Sequence, residues 1–344
     1  MVVVPLRADV LDNDLTLVYI GVRIGLEHGW SHIYSLPLQQ ELFAQLRPHA
    51  PFGDGARFIS PPVYAWLLLP LTLLGASAAV FAWLAISVAA LVAAWWIAAP
   101  GSWPRRGIWL LAAMAWYPVL YGLSLAQPAL VIVLVVAVAW WLAKSNRPYL
   151  AGLVLGLSVV KPQLTLLLPV VLLFGGRWRI AVTWAAVAAV LAIVSLAAIG
   201  VQGLTDYRAL LTEAQQVANN RYFTLAYLLG PGALSYIAQG VVVVAAAVAG
   251  YANRHASDAR IFALGLVATT LGATYWHLQD FTILVLAAWL FLRESSPAWQ
   301  RWWLLVIVLA GEFAWPLTPL PILVGMTAWF AILAMPRKTS TVAA

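Results

Sequence analysis

Asp14, Lys161, His277 and Asp280 are the residues whose types and settings could do chemistry in this chain. Lys161 is the most unusual of them, because it stands alone in an apolar run over residues 149–175. An ammonium group in hydrocarbon is expensive, so a lysine in such a run marks a functional site by default. Pro162 follows it, lacks a backbone N–H and biases its neighbour away from helical geometry. The run therefore predicts two short helices, 149–160 and 163–175, meeting at a break that carries the lysine. Each arm is about 18–20 Å long at ~1.5 Å per residue, short of a ~30 Å hydrocarbon core. The break then lies in a crevice below one membrane surface, where a cation suits a lipid phosphate. The bland alternative is one kinked span whose lysine snorkels or pairs with an acid.

The other candidates are weaker individually. Asp12-Asn13-Asp14 precedes an amphipathic run, and a carboxylate there can serve as general base to a sugar hydroxyl, hold a metal, or cap a helix. His277 and Asp280, three residues apart, share one face if a helix begins there. They would then bind a polar substrate or tune each other's protonation, or simply form a cap beside a Tyr275–Trp276 interfacial anchor. Gln127 lies in a turn between two apolar stretches, where its amide binds substrate or satisfies backbone. Gln163 sits two residues past Lys161. Asn219, Asn220 and Arg221 stand in a polar segment and could meet sugar or phosphate, or only solvent. Glu312 reads as a snorkelling or paired acid at a span end, and the 19 tryptophans as interfacial belts and lipid-facing bulk.

The elements that must position these residues are membrane helices. Hydrophobic residues make up 64% of the 344-residue chain and charged ones 9%, with a mean hydropathy of +0.90. Soluble domains hold about 45–50% apolar and about 25% charged residues, so this composition implies an all-α polytopic membrane protein. The apolar runs have helical lengths and lack the alternation of barrel strands. With no cysteine, thiol nucleophiles, disulfides and Cys-ligated metals are excluded. The net charge of +7 arises from basic loops and carries no nucleic-acid signal. No Walker A, GxGxxG, HExxH or GxSxG pattern stands in a usable context.

Residues 1–62 read as a first extracytoplasmic loop with two amphipathic helices lying along the membrane surface, and 63–344 as the transmembrane part of a single domain. Candidate apolar segments are 63–74, 77–99, 107–122, 128–143, the two arms around Lys161, 180–200, 233–252, 260–276, 281–292, 301–315 and 318–335. With 63–74 taken as peripheral, about eleven crossings are expected, several of them short or broken. Arg105–Arg106, Lys144/Arg147, Arg177/Arg179, Arg254/Arg260, Arg293/Arg301 and Arg337–Lys338 fall on alternate loops, which the positive-inside rule makes cytoplasmic. Arg147 and Arg177 share a side only if the run between them crosses twice, which favours the two-armed hairpin. Asp14, Gln127, Lys161, Gln163, Arg221, His277 and Asp280 then all map to the extracytoplasmic face.

The stretch "AGLVLGLSVVKPQLTLLLPVVLLFGGRWR" resembles the central motif of glycosyltransferase family 87, membrane enzymes of the GT-C fold class that use polyprenyl-phosphate sugars. "NDLTLVYIGVRIGLEHGWSHIY" is similar to that family's first extracytoplasmic loop. "ISPPVYAWLLLPLTLLG" resembles its double-proline segment, and "YWHLQDFTILVLAAWLF" its late His/Asp-bearing span. The resemblance implies Asp14 as catalytic base, Lys161 as ligand of the lipid-linked phosphate, and His277 with Asp280 as parts of the site. Gln127, Gln163 and Arg221 join them as substrate-binding candidates. The family commonly reads Gly-Gln-x-Asn where this chain has Ala126-Gln127-Pro128-Ala129, so the pocket differs there. It also carries a transmembrane helix ahead of the catalytic Asp, for which Met1–Asn13 leaves no room.

The implied function is inverting hexosyl transfer, with mannose as the sugar, from a polyprenyl-phosphate donor to a lipid or glycan acceptor outside the plasma membrane. The expected partners are that donor, that acceptor and membrane lipids, with no nucleic acid. No cofactor or metal site is implied, and metal dependence stays open. Two other classes compete: a transporter or flippase, to which a broken helix is common, and an inactive scaffold subunit lacking the first helix.

Overall fold

The computed structural model describes residues 9–53, 55–294 and 296–336; Asp54, Arg337 and Lys338 lie outside it. It is helical, and no strand occurs among the described residues. The helices are α1 (Asp14–Glu27), α2 (Leu36–Leu46), α3 (Pro62–Leu68), α4 (Ala76–Ala98), α5 (Trp103–Ala115), α6 (Tyr117–Ser124), α7 (Ala129–Lys144) and α8 (Pro148–Gly156). They continue with α9 (Leu168–Phe174), α10 (Trp178–Gln216), α11 (Leu225–Leu229), α12 (Ala233–Ala252), α13 (Asp258–Gly272), α14 (Ile283–Leu292), α15 (Ala298–Phe313) and α16 (Leu320–Ala334).

Among the described residues three helices are long and apolar enough to cross a membrane, α4, α10 and α12; α5 and α6 together make a fourth candidate. Other apolar helices are shorter, and several meet at breaks. The run around Lys161 breaks as its sequence dictates. α8 passes into a 3-10 turn at Leu157–Val160, Lys161 leaves helical geometry at φ −141° and ψ 75°, and a second 3-10 turn, Pro162–Thr165, leads towards α9. Gly152 and Gly156 let α8 approach α10 closely: a Cβ on either would stand 2.5 Å and 2.4 Å from the side chains of Thr183 and Val187. Small residues four apart are a common means of bringing membrane helices together. α9 is gripped in turn by α10, α12 and α13.

Several expected boundaries are corrected. The span expected at 107–122 bends by 58° between α5 and α6, because Pro118 has no N–H to continue the helix through Trp116. The polar segment expected as a loop from residue 201 is helical as far as Gln216; α10 carries on past Gly200, which adopts φ 62° at a kink. The span expected to reach residue 276 ends at Gly272, where Ala273 turns extended. α1 is packed into the body on one side. It buries Leu15, Val18, Tyr19 and Val22 and packs on α2 and α3. Gln39 holds the first segment together, donating to the carbonyl of Ile33 (3.1 Å) and accepting from the backbone N–H of Phe58 (2.8 Å). Among the described residues the main apolar core runs from Leu15 to Leu333, and a smaller one joins α1 to α2 through Ile20, Ile24, Leu42 and Phe43.

The basic loops are tied down as well as charged. Arg177 Nε donates to Asp258 Oδ1 at 2.9 Å and Nη1 donates to the carbonyl of Arg254 at 2.7 Å. Arg293 Nε donates to the carbonyl of Ala98 (2.7 Å) at the end of α4. Arg260 is buried outright: Nε donates to Asn253 Oδ1 (3.0 Å), Nη2 to the carbonyls of Ile332 (3.0 Å) and Met335 (2.7 Å), and Glu294 lies 3.5 Å away.

Candidate functional site

Four breaks in helical structure converge on one place. The first is the start of α1. Asn13 caps it, its Oδ1 accepting from the backbone N–H of Thr16 (3.1 Å), so Asp14 is the first helical residue rather than the cap. There its carboxylate complements the positive end of the helix. The second is the turn after α6. Leu125 accepts the Asp14 backbone N–H through its carbonyl (3.0 Å), and Ala126 adopts φ 50°, unusual for a residue with a Cβ. This turn aims Gln127 at Asp14.

The third break carries Lys161 and the fourth carries His277 and Asp280. Lys161 Nζ donates to Asp280 Oδ1 (2.5 Å) and to Gln127 Oε1 (2.6 Å). Gln127 Nε2 donates to Asp14 Oδ2. An ammonium only donates and a carboxylate only accepts, so these two neighbours fix which way the Gln127 amide faces. Asp280 is fully buried; its Oδ2 accepts the backbone N–H of His277 (3.1 Å), and its own N–H donates to the His277 carbonyl (3.0 Å). The His277–Asp280 pair is thus a cap over the 3-10 turn Leu278–Thr282, and it also places a carboxylate against the lysine. Of the readings of this spacing, the cap is the one the geometry displays.

His277 itself lies outside the helices. Asn220 Nδ2 donates to the carbonyl of Ala214 (2.7 Å), which turns Asn220 Oδ1 towards His277 Nε2 (3.0 Å). Nε2 therefore carries the ring proton, leaving Nδ1 as an acceptor. Burial lowers the imidazole's pKa below its ordinary range, the nearby Asp280 charge opposes this, and the Lys161 charge adds to the lowering.

These residues surround a cavity of about 790 Å³. Asp14, Gln127, Lys161, Gln163, Arg221 and His277 line it; Asp280 stands behind Lys161 and does not reach the wall. All seven candidates are thereby brought to one place. Arg221 supplies a second cation on the wall, on the segment that follows α10. Among the described residues no three of His, Cys, Asp or Glu gather as a metal site requires. Lys161 and Gln127 occupy the space between the carboxylates of Asp14 and Asp280.

Sequence reasoning missed part of the wall. Arg57 lines the cavity and pairs with Glu213, which does not; the two are 156 residues apart, and no local pattern links them. Tyr121 and Trp315 face the cavity together, their ring centroids 6.4 Å apart. Trp315 had the look of any other interfacial tryptophan. Asn220 reads as a possible sugar or phosphate contact, but its pairing with His277 across 57 residues has no local signal.

The arrangement offers a carboxylate, an imidazole and three cationic side chains, Lys161, Arg221 and Arg57, around a space large enough for a sugar. That is the equipment for moving a proton off a hydroxyl while stabilising an anionic leaving group. The model of glycosyltransferase family 87 matches residues 58–274, more than half of the chain. Gln127, Lys161, Gln163 and Arg221 fall inside the match, while Asp14, His277 and Asp280 lie outside it. No curated protein and no solved structure matches the chain.

Proposed function

The chain belongs to glycosyltransferase family 87, and we propose that it transfers a hexosyl group, mannose first among candidates, from a polyprenyl monophosphate to a lipid or glycan acceptor. Membership makes the protein a glycosyltransferase, and its apolar helices are those of a membrane protein. The alternating basic loops support about eleven crossings in a GT-C arrangement, with the cavity opening on the extracytoplasmic side of the plasma membrane. The observation that carries the proposal is the continuous hydrogen-bonded line Asp14–Gln127–Lys161–Asp280 along one cavity.

In this reading the acceptor hydroxyl gives its proton to Asp14 as its oxygen bonds to the anomeric carbon. The bond from that carbon to the phosphate oxygen breaks, and the phosphate leaves with the electron pair. Lys161 and Arg221 offset the charge that develops there, and preorganised charges in a dry site are effective at this. Asp280 holds the Lys161 ammonium in place. Gln127 keeps Asp14 and Lys161 apart while fixing both, since a direct ion pair between them would consume the base. Attack from the face opposite the phosphate inverts the anomeric centre. His277 and Gln163 are left to hold sugar hydroxyls.

The test is transfer of label from polyprenyl-phosphate mannose to membrane lipid or glycan by the protein in liposomes, beside the corresponding glucose donor. Labelled product from either sugar establishes the donor class. Movement of labelled donor across the bilayer with no covalent product would replace the proposal by a flippase. Neither product nor movement with any polyprenyl-phosphate sugar would leave the scaffold reading.

A further inference from the structure

Glu312 lies on α15, outside the cavity wall and outside the four breaks that build the site. Among the described residues no cation pairs with it. Its Oε1 instead accepts the backbone N–H of Tyr117 at 3.0 Å. Tyr117 is the first residue of α6, at the 58° bend, and Pro118 beside it has no N–H to offer. A carboxylate at this point complements the positive end of the short helix.

The same turn of α15 holds the bend by two further contacts. Trp116 Nε1 donates to the carbonyl of Val308 (3.1 Å), and its indole lies so close to Gly311 that a Cβ there would stand 2.5 Å from Nε1. From the other side Thr282 Oγ1 donates to the carbonyl of Pro118 (3.1 Å). α6 is thus clamped at its start. What leaves its far end is the turn that matters: the Leu125 carbonyl receives the Asp14 N–H, and Gln127, whose N–H donates to the Gly122 carbonyl (2.9 Å), bridges Asp14 and Lys161.

We infer that Glu312 is a positioning residue for glycosyl transfer, acting through α6 to hold Gln127 and Asp14 in line. The inference rests on the reading of Asp14 as the base. Position, not charge, is the property required, so the reach of the side chain decides the outcome. Glu312→Gln keeps an acceptor oxygen at the same distance. Glu312→Asp keeps the charge but withdraws it by one methylene, and Glu312→Ala removes both.

The experiment measures steady-state transfer by the full chain in liposomes, normalised to folded protein by size exclusion, with hydrogen exchange across residues 13–17 as a second readout. Glu312→Gln is expected to keep kcat within about twofold of wild type. Glu312→Asp and Glu312→Ala are expected to lose about tenfold to a hundredfold in kcat at unchanged donor KM, the scale of a small misplacement of catalytic groups. Exchange of the Asp14 amide should quicken in the same two variants. If Glu312→Ala does not fold, the order of Gln against Asp still decides. Asp outperforming Gln would make charge the operative property and overturn the inference, as would three variants equal to wild type or losses that follow the folded fraction. A wild type without transfer, or Asp14→Asn at full rate, would sink the base reading instead; the exchange at Asp14 would still report whether Glu312 holds that segment.

Discussion

Among the described residues, two buried charged networks can be set side by side, of which the one at Lys161 faces the cavity described above. At the end of the molecule where α13 begins, Arg260 is 1% exposed and is enclosed by Asn253, Glu294 and the carbonyls of Ile332 and Met335. At the other, Lys161 is 9% exposed, bound by Asp280 and Gln127, and opens onto about 790 Å³ of space shared with Asp14 and His277. Both networks answer the same physical demand, since a buried charge must be paired and hydrogen-bonded. The difference lies in what remains over. Around Arg260 the guanidinium is spent on the Asn253 side chain, the Glu294 carboxylate and two backbone carbonyls, which ties α13 to the ends of α12 and α16. Around Lys161 the network terminates in a carboxylate and an imidazole on an open wall. A buried charge alone therefore says little about function; its access to space says more.

The largest effect expected from breaking this contrast is at Asp14. Asp14→Asn keeps the shape and the hydrogen bond from Gln127 but cannot take a proton, and transfer should fall by about 10²–10⁴-fold with the protein still folded. Lys161→Met comes next. Removing the ammonium should cost about 10²–10³-fold in kcat, and it leaves Asp280 buried without its cation, which should also destabilise the fold by about 3–5 kcal/mol. The double substitution Lys161→Met with Asp280→Asn separates the two, since it should restore most of the stability and none of the transfer. Thermal unfolding in detergent and the label-transfer assay read the two halves independently.

Much of this was legible in the chain, for reasons that can be named. Lys161-Pro162 announces itself because a charge and a missing N–H coincide in an apolar run, and the structure breaks the helix at that point. The Asp14–Gln127 bridge was not legible: it spans 113 residues and depends on how the turn after α6 is aimed. The bend at Trp116 had a signal in Pro118, masked by the uniform hydropathy on either side. The helical segment beyond Gly200 was hidden by its polar composition, which reads as loop although Tyr207 and Leu210 pack on the body. Arg260 was visible as a topological charge, with no hint that it would be enclosed. Local chemistry could be read from sequence, whereas partnership across the fold could not.

Arg260→Met tests the other half of the contrast. It should destabilise the fold by about 3–5 kcal/mol through the groups it leaves unpaired, while the molecules that remain folded transfer at the wild-type kcat. The smallest effect is expected at Ala126. Its φ of 50° carries a left-handed penalty that glycine avoids, so Ala126→Gly should raise stability by about 0.5–1 kcal/mol, with transfer within twofold of wild type. A midpoint shift on thermal unfolding, read beside kcat, checks it.

The most direct test of the central claim sets Asp14→Asn beside Arg260→Met in one assay, with product formed per folded molecule measured from polyprenyl-phosphate mannose. The account predicts that Asp14→Asn unfolds near the wild-type temperature and transfers almost nothing, while Arg260→Met unfolds early and transfers normally until it does. Asp14→Asn at the wild-type rate would contradict it, and so would an Arg260→Met protein that stays folded but has lost transfer.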